Sequence, residues 1–294
     1  MELKILVSRH SAFYSPLIAS IAGPFLRDEG FTANYGVLAP GQTSRDALHR
    51  GEAHIIQSAV SSNWGPMEKG IDALPVHFAQ INMRDGFFLA TRAPHGTPFT
   101  WKTLEGQTLL ADHGVQPLAM LRYAAHENGV DWSRIHLIDA GSPEEMVHAF
   151  RHGQGDFIHL QGPAPHQLAL EGIASIAVSV GASMPPVAFS SLVALPAFLD
   201  SPEAQKFLRA YRRARTWVRE ADVGIIAETE APFFPHTPHQ ALCDAIADYQ
   251  QLGCWNGETE IPPDLYEQSL NVFEHSRLIN RRHGYRAVVR GIGE

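Results

Sequence analysis

The chain has 294 residues, 45% hydrophobic and 18% charged, which is enough for two α/β lobes with separate cores. A formal net charge of −8, with no basic stripe interleaved with aromatics, argues against nucleic acid and against an anionic membrane surface as partners. No apolar run is long enough to insert in a membrane, and Cys243 and Cys254 stand at a spacing that fits no zinc or redox motif, so they read as two isolated buried thiols.

The first seven residues, Met1-Glu2-Leu3-Lys4-Ile5-Leu6-Val7, read as a strand rather than a secretory signal. The chain as written is therefore expected in the cytoplasm, or in the periplasm or outside the cell if a leader has been removed. The strand at 3–7 delivers the loop Ser8-Arg9-His10, and Pro16 opens a helix with Leu17, Ile18, Ile21, Ala22 and Phe25 at its apolar positions. A second strand is predicted over 31–38. The polar turn at 39–44 follows, with Thr43 or Ser44 as cap of a helix through His49. Residues 53–57 form a third strand leading into 58–64, and this strand–helix–strand–helix–strand order implies a parallel sheet with right-handed crossovers.

Two more strands, 76–81 and 87–91, flank the segment 82–86. Pro94, Gly96 and Pro98 then break the pattern and suggest a crossing to a second lobe. There the order starts again: strand 108–111, loop 112–116, helix 117–128, strand 135–138. A helix follows with Ser142 as its cap and Glu144 and Glu145 at its positive end, then strand 157–160, the exit loop Gln161-Gly162-Pro163 and strand 176–180. Residues 190–194 are the expected return strand. From Pro202 a long amphipathic helix carries Phe207, Leu208, Tyr211, Ala214 and Trp217 inward, and helices at 240–252 and 263–275 are expected to wrap the first lobe. The reading is an α/β protein of two Rossmann-like lobes, residues 1–92 with 188–294 and residues 93–187. A ligand cleft is expected between them, outside the carboxyl ends of the strands.

Two stretches resemble each other in plan. One is Gly41-Gln42-Thr43-Ser44-Arg45-Asp46-Ala47-Leu48-His49-Arg50-Gly51-Glu52-Ala53-His54-Ile55. The other is Gly141-Ser142-Pro143-Glu144-Glu145-Met146-Val147-His148-Ala149-Phe150-Arg151-His152-Gly153-Gln154-Gly155-Asp156-Phe157. With Ser15-Pro16-Leu17 and Leu104-Glu105-Gly106-Gln107 they are similar to the sulfonate, taurine and thiamine-pyrimidine binding proteins, a type 2 periplasmic-binding-protein-like family, over residues 3 to 220. The resemblance implies a solute-binding protein that closes two lobes around a small polar ligand, anionic or heterocyclic, with the membrane component of an ABC importer as partner. It implies an alternative too, a cytoplasmic enzyme on the same scaffold, a lyase or biosynthetic enzyme related to thiamine pyrimidine synthase. That enzyme type carries a cysteine-rich iron motif and a cofactor-holding lysine. The chain lacks the former, and Lys4, Lys69, Lys102 and Lys206 fall on no obvious cleft loop.

The strand-exit loops supply the candidate ligand-binding residues: Arg9, His10, Phe13, Tyr14, Gln42, Thr43, Ser44, Ser58, Ser61, Asn63, Trp64, Asn82 and Arg84 in the first lobe. Asp112, His113, Gln116, Ser142, Gln161 and Pro163 supply them in the second. Arg9 and Arg84 either grip a carboxylate, sulfonate or phosphate or pair with a local acid. Tyr14 and Trp64 either stack on a planar ring or serve as core. Thr43, Ser44 and Ser142 either receive an anion or simply cap helices. Asp112 either faces a ring N–H or amine across the cleft or caps the next helix. In the enzyme reading, His10 and His113 are the acid and base, with Asp112 beside them. The pairs His148/His152 and His236/His239 lack a third ligand, so no metal is expected, and no cofactor motif appears.

Overall fold

A computed structural model describes residues 1–92 and 98–293. The first strand, β1 (Glu2–Val7), alternates exposed and buried residues, with Leu3, Ile5 and Val7 fully inside. A short 3-10 turn (Ala12–Tyr14) and helix α1 (Ser15–Ala22) follow, then α2 (Phe25–Asp28), β2 (Thr32–Val37), α3 (Ser44–His49), β3 (Ile55–Ser58), α4 (Trp64–Glu68) and β4 (Val76–Asn82). Next come β5 (Phe87–Thr91), β6 (Thr108–Leu110), α5 (Val115–Glu127), β7 (His136–Ile138), α6 (Pro143–Arg151), β8 (Phe157–Gln161), α7 (Ala164–Leu170) and β9 (Ser175–Ser179). The chain ends with β10 (Ser190–Ala194), α8 (Pro196–Leu199), α9 (Pro202–Glu220), α10 (Val223–Glu230), α11 (His239–Leu252) and α12 (Pro263–His275).

These strands form two five-stranded mixed sheets, in the orders β2-β1-β3-β10-β4 and β7-β6-β8-β5-β9. In the first, β1 pairs parallel with β2 and β3, and β10 returns antiparallel between β3 and β4. In the second, β6 pairs parallel with β7 and β8, and β5 runs antiparallel between β8 and β9. The two sheets thus repeat one plan, four strands parallel to one another with one antiparallel strand inserted between the third and the fourth, β10 in the first sheet and β5 in the second.

The pairing of β5 corrects the expected boundary at residue 92. Phe87–Thr91 belongs to the second sheet, so the first crossing runs through Met83 to Gly86 and the second between β9 and β10. Pro94 and Gly96, read as crossing signals, lie outside the described residues. The two crossings touch: Arg84 Nη1 donates to the Gly181 carbonyl at 3.1 Å, and a Cβ on Gly181 would stand 2.1 Å from the Asp85 carbonyl oxygen. A Cβ on Gly86 would stand 2.3 Å from the Phe13 ring. Only glycine lets these strands pass so closely.

Helix α9 packs Phe207, Leu208, Tyr211, Ala214 and Val218 on its inner face, with Ser201 accepting from the Ala204 N–H at its start. Its buried Arg215 donates to the carbonyls of Asn256, Gly257 and Glu258, which ties down the connection between α11 and α12. Those last two helices reach further than the first lobe. From α11, the Tyr249 hydroxyl accepts the Gly162 N–H at 2.7 Å and donates to the Gly86 carbonyl at 2.9 Å. His275 of α12 lies 4.4 Å, ring to ring, from His126 of α5. Cys243 and Cys254 are free buried thiols.

Candidate ligand cleft

Local order in the first lobe sets the wall. The Gln57 amide oxygen accepts from both the backbone N–H (3.0 Å) and the hydroxyl (2.8 Å) of Ser8, which fixes the exit of β1 and aims Arg9 toward the second lobe. Arg9 lies 5.5 Å over the Phe87 ring and forms an ion pair with Asp112, two residues beyond the end of β6. Asp112 also accepts the Gly114 N–H at 2.8 Å, so its carboxylate is held by its own loop as well as by Arg9. From the exit of β3, Ser61 donates to the Gln116 amide oxygen at 2.7 Å, and the Gln116 amide donates to the Phe189 carbonyl at 2.7 Å. Ser11 donates to the Gly162 carbonyl at 2.6 Å, and Gln161 donates to the Tyr14 hydroxyl at 3.4 Å.

These cross-lobe bonds surround a cavity of about 470 Å³. Arg9, Tyr14, Ser58, Ser61, Trp64, Gln116 and Gln161, all expected from the sequence, border it. Sequence reasoning missed Ser8, Gln57, Phe189, Ser190, Phe273 and Ile279, which border it too. Trp64 is nevertheless a core residue: it is fully buried, its indole N–H donates to the Tyr266 hydroxyl at 3.0 Å, and its ring packs edge-on against Phe273.

Beside the ion pair, behind the residues that border the cavity, lie buried polar groups that the sequence reading did not place in the site. His159 of β8 stacks on Phe87 with ring centroids 4.3 Å apart, and neither ring nitrogen makes a hydrogen bond among the described residues. Burial pushes its pKa down to about 3, so the ring is neutral at pH 7. Asp85 accepts the Phe87 N–H at 2.6 Å while its other oxygen is unpartnered. Burial raises its pKa to about 8, with a smaller contribution from nearby Asp112. The period-two geometry of a strand places His159 and Gln161 on one face, and that spacing was the available signal.

Several expected residues stand elsewhere. His10 turns away from the cavity: its ring nitrogens lie 2.7 Å from the Tyr35 hydroxyl and 2.8 Å from the Phe233 carbonyl, and it stacks on Phe234. His113 faces the Ala111 carbonyl at 2.7 Å and lies 3.7 Å from Asp139. Neither histidine borders the cavity, so the proposed acid–base pair is not assembled there. Gln42 engages Glu52 and the Ala39 N–H, and Thr43 accepts the Asp46 N–H at 3.1 Å as the cap of α3. Ser44 lies 3.3 Å from the Ser58 hydroxyl. Thr43 and Ser44 line a separate cavity of about 430 Å³ with Arg45, Asp46 and Lys69. Asn82 donates to the Ser190 hydroxyl at 3.3 Å and Asn63 to the Pro75 carbonyl at 2.7 Å. Phe13 is core, Pro163 lies behind Gln161 at the start of α7, and Ser142 caps α6 reciprocally with Glu145. Arg84 holds the crossing described above.

The rings of His148, on α6, and His152, at its end, lie 4.1 Å apart and tilted at 33°. Among the described residues, no group of three or more His, Cys, Asp or Glu side chains is placed to hold a metal, and no helix is long and apolar enough to cross a membrane.

No family model matches the chain. A Bacillus subtilis (strain 168) protein, "Putative binding protein YtlA", is 23% identical over 295 residues, covering 98% of this chain and 87% of that one. Among solved structures, a ligand-binding component of an ABC-type import system from Staphylococcus aureus with zinc bound superposes with a TM-score of 0.77 at 15% identity, over 99% of this chain and 97% of the other. The alkanesulfonate-binding protein SsuA from Xanthomonas axonopodis pv. citri, bound to MOPS, gives 0.73 at 16% identity, over 99% and 98%. The desulfurization enzyme DSZB gives 0.71 at 12% identity, over 98% and 96%. The shared feature is the two-lobed fold, which serves binding proteins and an enzyme alike.

Proposed function

We propose that this chain, which has the two-lobed fold of type 2 periplasmic binding proteins, is a solute-binding protein that closes around one small polar molecule. The observation that carries the reading is the cavity between the sheets, bordered by both lobes and ringed by direct lobe-to-lobe bonds at Arg9, Ser61 and Gln116. A ligand there touches both walls at once, so its binding energy falls on the closed form and shifts the population toward it. Arg9 receives an anionic group, Ser58, Ser61, Gln116 and Gln161 supply hydrogen bonds, and Tyr14 with the apolar side formed by Phe189, Phe273 and Ile279 takes the body of the ligand. The partner in this reading is the membrane component of an ABC importer, which recognises the closed form, and the site of action is outside the inner membrane. Among the described residues, His10 and His113 stand away from the cavity, which favours binding over the enzyme alternative.

The test is thermal unfolding with a panel of small solutes at millimolar concentration: alkanesulfonates, nitrate, amino acids and aminopyrimidines. A ligand at 100 times its dissociation constant stabilises the fold by about 2.7 kcal/mol, a rise of several degrees in Tm. The rise is expected in the wild type and not in Arg9→Gln or Gln116→Ala. Equal rises in all three proteins would place the ligand outside the cleft.

A further inference from the structure

The charges at the edge of the cavity, where Arg9 borders it and Asp112 stands just behind Arg9, narrow the ligand class beyond a polar or anionic molecule. Arg9 and Asp112 face each other across the lobes as an ion pair, and the Asp112 side chain is only 5% exposed. The other titratable groups against the pair are uncharged at neutral pH: burial depresses His159 and raises Asp85 and Tyr14. Phe87 and Gln161 complete the surroundings with no charge of their own. The surroundings of the pair are therefore neutral overall, one positive and one negative group, each the other's counter-charge.

A simple anion entering here creates a problem. To reach Arg9 it must either share the guanidinium with a second carboxylate or displace Asp112. A displaced Asp112 keeps the Gly114 N–H and loses its counter-charge in a site with little water, which is strongly unfavourable. His159 is the near group able to take up a proton in compensation, and its burial opposes that. A ligand carrying its own positive group meets no such cost, because its anion replaces Asp112 at Arg9 while its cation replaces Arg9 at Asp112. We propose that the cleft selects a net-neutral zwitterion, with a carboxylate or sulfonate for Arg9 and an ammonium or amidinium for Asp112, over the matching monoanion. This deepens the receptor reading and rests on it.

The experiment is titration calorimetry at pH 7 with matched probes: taurine against ethanesulfonate, and 4-(aminomethyl)benzoate against 4-methylbenzoate. Each is run in two buffers of different protonation enthalpy, with the wild type and Asp112→Asn. Asparagine keeps the acceptor for the Gly114 N–H, so the loop is retained while the charge is removed. The zwitterion of at least one pair is expected to bind the wild type tighter by about tenfold or more, without proton uptake. In Asp112→Asn that preference is expected to collapse or reverse, the monoanion gaining. A monoanion that binds the wild type as tightly without taking up a proton overturns the proposal, as does a zwitterion preference that survives in Asp112→Asn. Binding confined to monoanions or uncharged solutes leaves the receptor reading standing and this one fallen. No binding by any solute class at millimolar concentration overturns both.

Discussion

Two cavities back onto the same turn of the first lobe, sharing Ser62, Gly65 and Pro66, yet they differ in what surrounds their charges. The inner one, between the lobes, sets Arg9 against an acid that comes from the other lobe and is nearly sealed from water. The outer one is built from the first lobe alone. Its Arg45 lies 3.5 Å from Asp46 on the same helix, with both side chains more than a third exposed. Similar ion pairs therefore have different consequences. In the outer cavity, solvent screens the charges, while in the inner one the pair couples the lobes and, in the proposed reading, sets what a ligand must carry.

The sharpest way to break this contrast is to remove one partner of the inner pair. Arg9→Ala leaves Asp112 buried without a counter-charge, and a loss of about 3 kcal/mol in denaturant unfolding is expected, toward the low end for a buried pair because Arg9 is partly exposed. A loss below about 0.5 kcal/mol would make the inner pair equivalent to a surface one.

Asp85 sharpens the comparison through pH. Its folded pKa of about 8 lies above the ordinary 3.8, so between these values the folded state holds a proton that the unfolded state has released. Its contribution is full below about pH 4 and is lost as the pH rises through 8, with a limiting slope of about 1.4 kcal/mol per pH unit. Asp85→Asn is expected to flatten that alkaline limb and to be about 1–2 kcal/mol more stable than the wild type at pH 8. An unchanged limb would mean that Asp85 is ionised in the fold.

His159 acts with the opposite sign. Its pKa falls from 6.5 to about 3, so the unfolded chain takes up the proton first and stability is lost as the pH drops below 6.5. His159→Phe fills a similar volume beside Phe87 and removes two unpartnered nitrogens, so a gain of about 1 kcal/mol at pH 5 is expected, shrinking toward pH 7. The smallest effect belongs to the outer cavity: Arg45→Ala should change stability by less than about 0.5 kcal/mol.

The order of strands and helices was legible because each element carries its own period, and β1 shows it plainly in the alternation of Leu3, Ile5 and Val7. The partner of a strand has no such local sign. The strands at 76–82 and 87–91 are separated by only the four residues Met83-Arg84-Asp85-Gly86, and so short a break reads equally well as a hairpin or as a crossing between lobes, which is why β5 was assigned to the wrong sheet. Within the site, Arg9 and His10 illustrate the same limit. Both follow β1, but one side chain enters the cleft and the other leaves it for Tyr35 and Phe233, a residue 223 positions away whose approach no local pattern encodes. Thr43 and Ser44 drew attention as a helix start able either to receive an anion or to cap, and the structure gives Thr43 the capping work at α3. Gln116 and Gln161 were found because a strand-exit loop is a position rather than a motif, while His159 and Asp85 were missed because they lie beneath such loops.

If one small molecule binds between the lobes, native mass spectrometry of the protein with the best ligand from the solute panel counts it. One molecule per chain is expected in the wild type and none in Arg9→Gln under the same conditions. One molecule per chain in both proteins, or none in the wild type, would contradict binding between the lobes.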